Sequence, residues 1–164
     1  MAEPDLPVPK LADHEVALGD EVNLFRFVWC PDDVQDGKVL PNAFKKEDLK
    51  NLERRVSVDR ADQLDKASIT AVAEEQKKRA DPMRGTHREE AFGTLLNTGA
   101  VRSYQDTEGT KPFSVAADPI VGNPAHCAIG NKSGKAGRAY ILQLRTALAD
   151  LSFGTARLDE FFQG

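Results

Sequence analysis

At 164 residues the chain fits one domain, long enough to bury a core of its own without a disulfide or metal. With 40% hydrophobic and 29% charged residues it falls outside the disordered and membrane classes, and no run approaches the ~18 unbroken apolar residues of a spanning helix. The net charge of −4, with basic residues dispersed apart from 77–79 and 132–138, argues against general nucleic-acid binding, because gripping a phosphate backbone takes clustered Lys and Arg.

Residues 1–20 carry Pro4, Pro7 and Pro9 with little apolar periodicity, and read as a mobile, proline-rich arm. The arm is acidic and lacks the basic and apolar blocks of a signal peptide, so the cytoplasm is the expected compartment. The domain is expected to run from about Glu21 to Leu151. Val22–Cys30 is dense in aromatic and β-branched residues on both parities, which predicts a central strand covered on both faces. Arg26 breaks that run. It either snorkels to an edge or pairs with a carboxylate, or is a buried guanidinium aimed into a pocket.

Asp36-Gly37 between Val34 and Val39 signals a hairpin, and Asn42 suits the cap of a short helix over Ala43–Leu52. Period-two alternation predicts a strand over Arg54–Asp59, with Val56 and Val58 inward. Ser68–Ala80 is helical, its acids ahead of its bases, and Asp81-Pro82 ends it. Residues 83–104 conflict: Thr86-x-x-Glu89 resembles a capping box, but the threonines and glycines that follow favour a strand over Ala91–Asn97, then a short helix at Ala100–Tyr104. Phe113–Ala117 and Ala125–Ile129 read as strands. A Gly/Lys/Ser loop then leads into an amphipathic helix over about Gly134–Leu151, whose stripe is Tyr140, Ile141, Leu144, Leu148 and Leu151. Residues 152–164 form a Phe-rich tail that either folds back or meets a partner. The expected fold is α+β: one domain, a mixed sheet of about five short strands and two to three helices, the last of them the main one.

The Gly130–Arg138 loop is the first place to look for chemistry. A strand entering a glycine-rich loop and then a helix offers free N–H groups to an anion, and Lys132, Gly134, Lys135 and Arg138 would line it. It is not a P-loop, since three rather than four residues separate Gly130 from Gly134 and Ala136 follows the lysine. The plain alternative is a strand-to-helix turn with solvated lysines. His126 is the second candidate, as a base or hydrogen-bonding group on the wall of a cleft, with a half-buried structural histidine as the plain reading. Its neighbour Cys127 points to the opposite strand face, which disfavours a Cys–His pair. Cys30 and Cys127 read as buried thiols, and His14 and His87 attract no role. Ser57, Asp59 and His126 supply the residue types of a hydrolytic triad, but Val-Ser-Val-Asp lacks a Gly-x-Ser-x-Gly elbow. No Cys/His spacing supports a metal, and no cofactor is expected.

The block order Leu-Phe-Arg-Phe-Val, Asp-Gly before Ala43-Phe44, Val56-Ser-Val-Asp-Arg-Ala61 and Asn123-Pro-Ala-His126 before a basic helix resembles a set of small uncharacterised bacterial proteins over about residues 22–150. The resemblance carries no catalytic assignment. It implies a bacterial protein that works beside a partner.

The leading expectation is therefore a non-enzymatic protein-interaction module, an accessory or regulatory subunit with a protein partner and no membrane contact. Phe153, Leu158, Phe161 and Phe162 would form its contact surface. The alternative is a small enzyme or ligand-binding domain for a phosphorylated or nucleotide ligand, with the 130–138 loop as cradle, Arg26 as clamp and His126 as acid or base. The alternative requires all three to line one pocket.

Overall fold

The computed structural model describes residues 17–51 and 54–162. Most of the predicted N-terminal arm, with His14, lies outside them, as does the end of the helix predicted over Ala43–Leu52. The fold is α+β, built on a six-stranded antiparallel sheet rather than a mixed sheet of five. The strands are β1 (Asn23–Pro31), β4 (Val56–Arg60), β5 (Arg88–Asn97), β6 (Phe113–Ala117), β7 (His126–Asn131) and β8 (Phe153–Arg157), in the order β6-β7-β4-β1-β5-β8. A two-stranded hairpin of β2 (Val34–Gln35) and β3 (Lys38–Val39) stands beside it. The described helices are α1 (Lys66–Lys78), α2 (Thr98–Ser103), α3 (Arg138–Leu151) and α4 (Leu158–Phe161). None is long and apolar enough to cross a membrane.

β1 is central, as its two-sided apolar pattern requires. Its even positions Leu24 and Val28 join Val56, Val58, Leu96, Val115, Cys127 and Ile129 in one core cluster. The α3 residues Ile141, Leu144 and Leu148 close that core from above. The odd positions Phe25 and Trp29 are buried on the opposite face, where α1 supplies Ile69 and Ala73. Trp29 anchors α1 there, its indole N–H donating to Gln76 Oε1 at 3.0 Å. Asp65 caps α1 by accepting from the Ser68 amide at 2.9 Å, which sets the start of that helix slightly ahead of Ser68.

Three boundaries differ from the sequence pattern for local reasons. The predicted helix at 43–52 is replaced by 3₁₀ turns at Pro41–Ala43 and Lys46–Leu49, with Phe44 in an extended conformation between them. α3 begins at Arg138 rather than Gly134 because Asn131 ties down the preceding loop. Its amide donates to the Lys135 carbonyl at 2.8 Å, and its oxygen accepts from the Ser133 amide and hydroxyl. Residues 153–157 form β8, an edge strand of the sheet, and α4 packs back on β5 through Phe161. The folded domain thus extends past Leu151, and the segment read as a tail splits into a strand and a helical turn.

Candidate functional site

The neighbouring strands β1 and β5 stay paired over nine residues, Asn23 to Pro31. β1 and β4 pair only at Leu24↔Arg60 and Phe25↔Asp59. Beyond Phe25 the sheet is open between them, and a groove of about 1150 Å³ occupies the opening. Its lining comes from both faces of the sheet: Phe25, Phe27 and Trp29 from one, and Ala43 and Arg145 from the other.

Arg26 sits at this break. A charged residue at a core-facing position must find acceptors, and the unpaired backbone supplies them. Its Nε and Nη2 donate to the Ala43 carbonyl at 3.0 and 2.7 Å, and its Nη1 donates to the Ser57 carbonyl at 2.8 Å. The side chain thereby stitches β1 to β4 across the gap. Its guanidinium also lies over the Phe44 ring, 5.2 Å from the centroid. Burial lowers the Arg26 pKa from its ordinary value, and the charges of Asp33 and Asp48 act against that shift. Asp33 is pushed the other way: burial raises its carboxyl, partly offset by the Trp29 amide it accepts at 3.0 Å.

His126 opens β7 opposite Asp59 and lines the same groove. Its Nδ1 lies 2.9 Å from the Asp118 carbonyl oxygen, which can only accept, so Nδ1 carries the proton. The Asp118 carboxylate lies 3.4 Å from the same nitrogen and 3.5 Å from Arg55. In the neutral ring Nε2 is therefore the lone-pair nitrogen. Cys127 faces the core on the opposite side, fully buried, and burial pushes its thiol up to about 11. Asp59 is engaged by Asn123, whose side-chain amide donates to it at 2.8 Å.

The Gly130–Arg138 loop stands apart from this groove, and none of Lys132, Gly134, Lys135 and Arg138 lines it. Lys135 binds Glu108 at 2.6 Å, and that hydrogen bond raises its pKa. Of the aromatic C-terminal residues, Phe161 is packed edge-to-face on Phe25 at 5.2 Å and Phe162 on Phe161 at 5.6 Å. Leu158 is half-buried, while Phe153 is 43% exposed on the edge strand.

Sequence reasoning passed over two groups in the groove. His87 lies 3.2 Å from Asp32 through Nδ1, and its amide donates to the same carboxylate at 2.8 Å. Arg145 donates from Nε to the Phe44 carbonyl at 2.7 Å. The contact of His87 spans 55 positions and leaves no local signal. Arg145 lies off the apolar stripe of α3, which made it look solvated.

Comparison with models of protein families, with curated proteins and with solved structures gives no match for this chain.

Proposed function

We propose that the protein is a non-enzymatic interaction module, an accessory or regulatory subunit, which holds an acidic, extended segment of a protein partner in the groove across its sheet. The observation that carries this reading is a charge asymmetry. Seven Lys and Arg residues line the groove against five Asp and Glu, while the whole chain has 22 against 26. Lys45, Lys46 and Arg79 line it without a salt bridge among the described residues. Half-buried Phe27 adds aromatic surface beside those charges. At about 1150 Å³ the groove exceeds the roughly 300–1,000 Å³ typical of small-molecule pockets, and an extended chain fills such a space better than a metabolite does.

The single tryptophan of the chain, Trp29, lines the groove and serves as the reporter. Titration with a Glu-rich peptide is expected to give a saturable change in its fluorescence, and a Lys-rich peptide of equal length none. Reversing Lys45, Lys46 and Arg79 together to Glu is expected to weaken binding at least tenfold. Equal affinity for both peptides, or no effect of the reversal, would overturn the reading.

A second reading, an enzyme or binding domain for a phosphorylated or nucleotide ligand, draws on the shared groove position of Arg26 and His126. It predicts that His126→Gln keeps ligand affinity within a few-fold and abolishes turnover. Absence of both binding and turnover in the native protein across phosphate esters and nucleotides would rule it out.

A further inference from the structure

Two arginines in the groove bind the same short turn without a carboxylate of their own. Arg26 holds the Ala43 carbonyl, and Arg145 holds the next one, Phe44, at 2.7 Å. Arg145 also approaches the Asn42 side-chain oxygen at 3.4 Å. Neither guanidinium has an ion pair among the described residues. Asp33 and Asp48 support the Arg26 charge through space without contacting it, and that support does not outweigh its burial.

A carbonyl satisfies an N–H but does not neutralise a charge. Arg26, held by carbonyls and short of a contacting carboxylate, therefore carries an electrostatic cost that an anion in the groove would relieve, and half-buried Arg145 adds a second cation beside the same turn. Donors remain for it. A guanidinium has five N–H groups; three of Arg26 are used and two of Arg145, which leaves two and three. The planes are also held in place, Arg26 by its three bonds and the Phe44 ring, Arg145 by its bond to the turn. Such prior fixation lowers the entropy lost on binding.

We propose that Arg26 and Arg145 form a subsite for a dianionic phosphoryl group carried by the segment that occupies the groove. Two cations without a contacting carboxylate are matched by one group of double charge, and a tetrahedral set of three terminal oxygens accepts from two forks more fully than a planar carboxylate does. The inference rests on the interaction reading above and names what the partner segment carries. The partner is phosphorylated at a Ser, Thr or Tyr flanked by acidic residues, and the same chemistry is offered by free phosphate.

The test titrates the full chain, followed by Trp29 fluorescence, with three probes: an acidic peptide containing one serine, the same peptide with phosphoserine, and inorganic phosphate. The phosphopeptide is expected to bind at least tenfold more tightly than its unmodified form. Arg145→Gln is expected to bring that ratio close to one. Arg26 bridges two strands and a turn, so Arg26→Lys is read only alongside a melting curve, and Arg145→Gln and Arg145→Lys carry the result. Competition by phosphate against the phosphopeptide alone supports the subsite. A ratio near one in the native protein overturns it while leaving the interaction reading standing. If phosphate binds with Arg145 dependence and neither peptide binds, the interaction reading falls and the subsite stands, taking free phosphate. If no probe binds, both fall.

Discussion

Gly93 occupies a point on β5 where no larger residue fits. A Cβ there would lie 2.5 Å from Phe25 Cε1 and 3.1 Å from the Phe161 ring, so the aromatic pair closes over a bare backbone. Gly93→Ala must push a buried ring aside, at a cost of about 1–3 kcal/mol, visible as a lower Tm in a thermal melt. An unchanged Tm would mean that the Phe25 ring does not lie against Gly93 as described. Cys127 gives a second prediction at this scale. Its thiol ionises in the fold near 11 rather than at its ordinary value, so the unfolded chain releases that proton first as pH rises. Stability from this group is complete below about pH 8.5 and is lost on the order of 2 kcal/mol through pH 11. Urea melts of the native protein and of Cys127→Ala between pH 8 and 11 check this, the native protein losing stability more steeply.

The elements divide by where their signal lies. The β2–β3 hairpin was legible because Asp36 and Gly37 must both adopt positive φ, 54° and 75°, and Asp-Gly does so readily. Gly37→Ala strains that turn and is expected to cost about 1 kcal/mol in chemical denaturation, although no atom lies within 4 Å of the added methyl. The central strand and α3 were legible for the same reason, a local apolar pattern that matches burial. The segment after Asn42 was misread because two 3₁₀ turns and the extended Phe44 between them bury Phe44 and Leu49 without a continuous helix. The tail was read as folding back or meeting a partner, and it folds back; its strand β8 left no signal because an edge strand needs only half a pattern, and Phe153-Gly-Thr-Ala-Arg157 offers little more.

At the scale of the whole molecule the groove was legible only in part. Arg26 stood out as a charge in an apolar run, and strand parity placed His126 opposite Cys127. The opening between β1 and β4 had no signal, since it depends on where two strands 31 residues apart cease to pair (Arg26 and Ser57 mark the place). The distribution of charge carries a prediction here. A chain of net −4 that gathers cations in one groove attracts an acidic ligand locally and repels it elsewhere. Raising ionic strength from 0.05 to 0.5 M should weaken binding of the Glu-rich peptide several-fold, because exposed charges are screened within roughly 4 to 14 Å over that range. A salt-insensitive affinity would assign binding to the aromatic surface instead.

The opening has a mechanical consequence as well. It interrupts the hydrogen-bond ladder between β6-β7-β4 and β1-β5-β8, which two residue pairs and Arg26 bridge and which one core packs against. A change in the width of the groove would break no ladder within either part, but it must shift the core they share. Arg26 bridges the gap, and an anion that draws on its guanidinium acts on that bridge. Backbone amides bordering the gap should exchange with deuterium well ahead of those between β1 and β5, and a ligand seated on Arg26 should slow them selectively.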